Sequence, residues 1–176
     1  MYGSGSFEKC LNFVLRQEGG YSNDPHDKGG ETNYGLSKRF LNAHGIDKKV
    51  SELTMQDVRT IYYTYIWLPS QAEKFNDATV QLFVFDCSVN HGISAAAGLL
   101  QQAVNYLTPI AVDSIIGKQT IKATNDLINS TSFPLLLELM KLVRGGYYLH
   151  IVDRDSTQKR FLKGWLKRNS DVFGAL

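Results

Sequence analysis

The chain has 176 residues, 43% of them hydrophobic, which is enough to bury a core without disulfide or metal staples. Its formal net charge of +2 is too balanced for the basic stripe that nucleic-acid binding requires, so no nucleic-acid partner is expected. No apolar run reaches transmembrane length, and the start of the chain has no basic segment followed by an apolar one. A soluble protein made in the cytoplasm without a Sec-type leader, and not inserted in a membrane, is therefore expected.

Taken in chain order, Phe7, Leu11, Val14 and Leu15 recur at helical spacing, with Cys10 and Phe13 beside them. Ser6 is placed to cap this first helix, and Gly19 and Gly20 to end it. Residues 21–35 have no apolar period and read as turns, or as a short hairpin around Lys28, Gly29 and Gly30. A short helix over Leu36 to His44 is closed by Gly45. Thr54 caps a helix over Met55 to Trp67, with Pro69 after its end. Thr79 begins a strongly apolar helix closed near Gly92, and Ser94 caps the next one, through Val104. Pro109 to Thr120 reads as a turn segment leading into a helix over Ile121 to Leu127. Phe133 to His150 is a long helix and Arg160 to Arg168 a last amphipathic one. The predicted fold is mainly α, with a small β-hairpin or irregular region after the first helix.

Cys10 and Cys87, the two cysteines, both sit in apolar helical runs and read as buried free thiols. They cannot build a zinc site alone, and no metal or cofactor is expected. Lys159, Arg160, Lys163, Lys167 and Arg168 read as a solvated helix face.

The run EGGYSNDPHDKGGETNYG, from Glu18 to Gly35, is where chemistry is concentrated. Glu18 follows Leu15, Val14 and Leu11 by three, four and seven positions, which puts it on the apolar face of the first helix. Desolvation there, and the partial negative charge of the helix end, both favour the protonated acid. An acid held in that form suits general-acid cleavage of a glycosidic bond. A structural pairing of Glu18 with Arg144 or Arg154 is the competing reading. Asp27, after Pro25 in a polar turn, is the natural second carboxylate, able to hold a water or stabilise positive charge on a sugar ring. Asp24 competes for that role. Thr32 can orient the water, or be an ordinary strand residue.

Elsewhere the readings are divided. Tyr62 and Ile66 read as core, whereas Trp67 either joins them or lines a groove. Asn90 either bonds substrate amides or caps its helix, and His91 reads as structural. Asp86, on an apolar helix, needs a buried Arg or Tyr partner. Gly145 and Gly146 precede Tyr147 and Tyr148 and allow close helix approach or substrate access. Trp165 reads as packed. Tyr21, Asn90, Trp67 and Tyr148 are the assigned substrate-binding residues.

The run EGGYSNDPHDKGGETNYGLS resembles the signature of the glycoside hydrolase 108 family, N-acetylmuramidases of phage-lysozyme type, whose motif is EGGYxNDPxDxGGxTxxGI. FDCSVNHG at 85–92 is similar to that family's FDxxVNxG, and AAGLLQQAV at 96–104 to its AxxLLQ helix. VDSIIGKQT at 112–120 is similar to VDGxxGxxT, with Ser114 in place of glycine, and FLKGWLKR at 161–168 to FxxGWxxR. The resemblance implies a lysozyme-like fold, with a catalytic region over 1–92 and a helical peptidoglycan-binding region over 93–176 packed as one compact unit. It also implies a muramidase cleaving the β-1,4 bond between N-acetylmuramic acid and N-acetylglucosamine, with Glu18 as its catalytic glutamate. The spacing of Glu18, Asp27 and Thr32 is similar to the Glu/Asp/Thr triad of phage lysozymes, with one residue fewer before the threonine. Peptidoglycan strands are the implied partner of a monomeric enzyme acting at the cell wall, in lysis of endolysin type or in opening the wall for protein export. A lytic transglycosylase and a non-catalytic peptidoglycan-binding module are the alternatives.

Overall fold

The computed structural model of the chain describes residues 5–18 and 31–175, which fall in two compact units, Met1–Pro69 and Ser70–Leu176. In the first unit, helix α1 (Gly5–Gln17) buries Phe7, Cys10, Leu11, Phe13 and Val14. These positions form the stripe that the 3.6-residue period dictates, and each large one contributes about 1.5–3 kcal/mol by leaving water. The helix is already formed at Gly5, so Ser6 lies inside its first turn instead of capping it.

After the first helix comes a two-stranded antiparallel sheet, β1 (Thr32–Asn33) and β2 (Leu36–Ser37), with Thr32 opposite Ser37 and Asn33 opposite Leu36. The turn between them is Tyr34–Gly35, with φ of 53° and 77°. Two left-handed residues in succession match the right-handed twist of the flanking strands, and glycine takes the second at no steric cost. The turn expected at Lys28, Gly29 and Gly30 lies outside the described residues. Leu36, expected in a helix, is a strand residue. The helix α2 (Lys38–Ala43) starts two residues later, where the Ser37 hydroxyl accepts from the Phe40 N–H at 3.1 Å. Asn33 Nδ2 donates to the Val50 carbonyl at 3.2 Å and ties the hairpin to the 3-10 turn Val50–Glu52.

Thr54 caps α3 (Met55–Tyr62) as expected, in a reciprocal capping box with Asp57. Beyond Tyr62 the chain widens into a π-helical turn, Tyr63–Trp67, in which the Leu68 N–H reaches back to the Tyr63 carbonyl. A single α-turn, α4 (Leu68–Ser70), follows and contains Pro69, a residue expected after the helix end. Proline has no N–H to give a regular helix, and the wider turn before it accommodates that loss. The π-turn carries Trp67, fully buried, against Phe7 with ring centroids 5.5 Å apart.

The second unit is built around α5 (Ala78–His91), whose residues Leu82 through Ser88 are all buried. A helix apolar on every side belongs at the centre of its unit. Its cap is Asp77, whose carboxylate accepts from the Thr79 and Val80 N–H groups at 2.8 and 3.0 Å, so it begins earlier than Thr79. Gly92, at φ 85°, ends α5 and opens α6 (Ile93–Asn105), so Ser94 lies inside α6. Helices α7 (Lys118–Ile128), α8 (Phe133–Arg154) and α9 (Lys159–Val172) complete the unit. α5 packs on α6 and α9, and α8 on α6, α7 and α9.

Two polar clusters, each centred on a buried side chain, fix these helices. Gln101 on α6 donates to Asp113 Oδ1 at 2.8 Å, the Ile115 carbonyl at 2.9 Å and Thr120 Oγ1 at 3.1 Å, and accepts from the Ser114 N–H at 2.8 Å. This holds the α6–α7 connection in place, with Ser114 in the left-handed conformation at φ 64°. Asp86 on α5 is clamped by Arg144 of α8 at 2.6 Å and by Arg168 of α9 at 2.8 Å, which is the buried arginine pairing its position on an apolar helix required. Cys10 and Cys87 are free and buried, and burial pushes the Cys87 thiol up to about 12, which leaves it unreactive.

Candidate active site

Glu18 follows α1 directly and prolongs its hydrogen bonding, its N–H donating to the Val14 carbonyl at 2.9 Å. It is half-buried, in line with the buried Val14 and Leu11 one and two turns back. Its side chain lies against the hairpin turn: a Cβ added to Gly35 would stand 2.8 Å from Glu18 Cγ and 3.0 Å from Glu18 Cδ. The same added atom would stand 2.7 Å from the Tyr62 hydroxyl, which donates to the Tyr34 carbonyl at 2.9 Å. Three elements therefore converge on this carboxyl group: the end of α1, the β1–β2 turn and the last residue of α3. The contact is possible because position 35 has no side chain. A half-buried carboxyl group beside a glycine turn and a tyrosine hydroxyl is placed to exchange a proton with a bound molecule.

Thr32 lies in β1 of the same hairpin, half-buried, with Ser37 across from it. Asp27, its rival Asp24 and Tyr21 lie outside the described residues. Arg144, a candidate partner for Glu18 on sequence grounds, is bound to Asp86.

Asn90 is exposed in the last turn of α5, and its amide turns back to donate to the Asp86 carbonyl at 2.7 Å, one helical turn earlier. Trp67 and Tyr148 do not line a groove. Trp67 is 0% exposed and Tyr148 1%, so neither ring has a face to offer a sugar. Their bulk is spent on core packing: Trp67 on Phe7, and Tyr148 stacked on Trp165 at 5.3 Å and beneath the Arg144 guanidinium at 5.5 Å. His91 packs on Tyr147 and Tyr148 at 4.9 and 5.3 Å, the structural place expected of it. Burial, and then the Arg144 charge, lower its pKa to about 4.

Sequence reasoning missed Gly35 as a contact of Glu18 and the hydroxyl of Tyr62 as part of the same cluster. Tyr62 read correctly as core, but its Oη emerges at the junction. The signal available for Gly35 was Asn-Tyr-Gly flanked by alternating residues, a hairpin-turn pattern that the richer Lys-Gly-Gly run overshadowed. Among the described residues no three His, Cys, Asp or Glu side chains gather as a metal-binding group.

Comparison with known proteins agrees with this layout. Residues 11–92 match the family described as "Glycosyl hydrolase 108", and residues 95–170 match the one described as "Predicted Peptidoglycan domain". A solved structure of SagA from Brucella abortus is similar, at 25% sequence identity and a TM-score of 0.77, over 97% of this chain and 92% of that one. The mainly helical architecture, with its small antiparallel sheet after the first helix, is that of a lysozyme-like fold. No curated protein matches the chain.

Proposed function

The chain belongs to the glycosyl hydrolase 108 family and carries a peptidoglycan domain in tandem, and from that premise we propose that it is an N-acetylmuramidase with Glu18 as general acid. At the coarser level the pairing of the two regions makes it a peptidoglycan hydrolase acting at the cell wall. The observation that carries the finer reading is the seat of Glu18, half-buried on the apolar stripe of α1 and pressed on a glycine turn.

In the proposed reaction the Glu18 carboxylic acid gives its proton to the oxygen bridging N-acetylmuramic acid and N-acetylglucosamine as the C1–O bond breaks. Asp27, as carboxylate, holds the water that attacks C1 or steadies the positive charge growing there, and Thr32 orients that water. The stereochemical outcome follows the separation of the carboxyl groups, about 5 Å for retention and more than about 6.5 Å for inversion. The catalytic region spans 1–92 and the binding region 93–176. The enzyme works as a monomer on glycan strands, in endolysin-type lysis or in opening the wall for export. Among the described residues no helix is long and apolar enough to cross a membrane.

Digestion of purified peptidoglycan, with the released muropeptides weighed, tests this. Reducing muramic acid ends are expected. Anhydro ends, lighter by one water, would instead show transglycosylase chemistry, and an absence of release would leave a binding module. Glu18→Gln is expected to lower release by about 10²–10⁴-fold, the usual worth of a positioned general acid, with the circular dichroism spectrum unchanged. Near-wild-type release from that variant would remove Glu18 from the mechanism.

A further inference from the structure

Within the second unit, α6 and α8 enclose a groove of about 640 Å³. Leu99, Leu139 and Val143 contribute aliphatic surface, and Tyr106 and Leu142 stand out at 73% and 68% exposure. Scattered exposed apolar side chains are ordinary, but a contiguous set lining a concavity marks an interaction site. The polar members of the lining are Gln102, His150 and the hydroxyls of Tyr106 and Tyr147, and no Lys, Arg, Asp or Glu takes part.

A second observation concerns Gly146, which also lines this groove. It sits inside a 22-residue helix, where glycine costs about 1 kcal/mol relative to alanine. Its φ is not left-handed, and an added Cβ would meet no atom within 4 Å beyond its chain neighbours and the nearby backbone of its own helix. Neither backbone conformation nor packing inside the protein calls for glycine there. What the missing side chain provides is open space in the groove, beside Tyr147.

We propose that this groove is a glycan-binding site that holds the uncharged sugar backbone of a peptidoglycan strand outside the catalytic site. The inference rests on the peptidoglycan reading above, since the whole groove falls within the residues 95–170 that match the peptidoglycan domain. Charge selects the sugar over the rest of the polymer. Stem peptides carry carboxylates that call for Lys or Arg, which the lining lacks, whereas N-acetylated sugar rings are neutral. The apolar ring faces lie on Tyr106 and Tyr147, and Gln102 and His150 bond the hydroxyl and acetamido groups. An apolar partner helix would bury those same two polar side chains without hydrogen bonds.

The test uses the full chain carrying Glu18→Gln, titrated with the N-acetylglucosamine pentamer and followed by backbone-amide NMR. Saturable shifts are expected at Gln102, Tyr106, Gly146 and Tyr147. Gly146→Leu in that background should weaken this binding at least tenfold. Tyr106→Ala, which truncates an exposed side chain and leaves the core intact, should weaken it similarly. Gly146→Ala should raise the melting temperature, because the helix gains a better former and loses no internal contact. The proposal is overturned if the groove amides do not respond to the sugar. It is equally overturned if they respond only to a stem tetrapeptide, or broaden with protein concentration alone as a second copy docks. Muropeptide release by the wild-type chain is scored separately, so a silent groove beside normal release defeats this site and leaves the hydrolase reading standing.

Discussion

Gly35 decides how Glu18 is held. Its left-handed φ of 77° is open to glycine, and the space a Cβ would take is already shared by the Glu18 side chain and the Tyr62 hydroxyl. Gly35→Ala therefore carries a double penalty, backbone strain and displacement of the proposed acid. A loss of about 1–3 kcal/mol in stability is expected. Muropeptide release should drop at least about tenfold beyond what the unfolded fraction accounts for, because a misplacement near 1 Å is enough to cost a catalytic group its geometry. Denaturant unfolding and release assays on one preparation check both figures, and a variant with wild-type release would show that this contact does not position Glu18. Ser114 makes an instructive contrast. It too is left-handed, at φ 64°, where the resembled family has glycine, yet Gln101 accepts its N–H and so helps hold the turn in that conformation. Strain at one residue is tolerated when its neighbours bond it in place.

At the scale of elements, the ends of helices carry much of the specificity. Thr54 and Asp57 close the start of α3 reciprocally, and Ser37 turns the last strand residue into the cap of α2. The end of α5 behaves differently. A histidine in a last turn ordinarily gains from the helix dipole when charged. His91 instead has its pKa lowered to about 4 from 6.5, first by burial against Tyr147 and Tyr148 and then by Arg144. The unfolded chain therefore takes up a proton as the pH falls below about 6.5, while the folded chain resists until about 4. More protons bind the unfolded state in that window, so stability is full above it and declines as the pH falls through it. Urea midpoints measured at pH 7.5 and 4.5 should show a larger fall for the wild type than for His91→Phe, which keeps an aromatic ring and removes the titration. Equal falls would mean that other groups govern the acid response.

Over the whole molecule, each unit holds its own core, and the second is pinned by charge as well as by apolar packing. Asp86 and Arg144 are both 0% exposed, and Arg168 completes the cluster from α9. Three helices, α5, α8 and α9, are thereby fixed to one carboxylate. Removing one member of a buried pair strands the other, which typically costs about 3–5 kcal/mol. Asp86→Ala should lower unfolding stability by that amount, since it leaves Arg144 buried opposite a methyl group. A loss under about 1 kcal/mol, read from denaturant midpoints, would mean that the arginines find water or other acceptors. The exposed stripe of α8 is the complement of this core: the helix turns Arg144 and Tyr148 inward while Leu142 and Gly146 face the α6–α8 groove.

Local chemistry was legible in the sequence wherever a short stretch decides its own conformation. The apolar periods marked the helices, Thr54 marked a helix start, and the position of Glu18 on the stripe of α1 followed from counting turns. Ser6 and Ser94, expected as caps, lie inside α1 and α6, and the start expected at Thr79 moves back because the Asp77 carboxylate accepts from the Thr79 and Val80 N–H groups. Only the tertiary structure decided that Trp67 and Tyr148 are core, that Asp86 meets two arginines, and that Gly35 touches Glu18. Each of those facts joins residues far apart in the chain. An aromatic ring in a sequence looks the same whether it will face a sugar or a phenylalanine, and what it faces is set by how the helices pack.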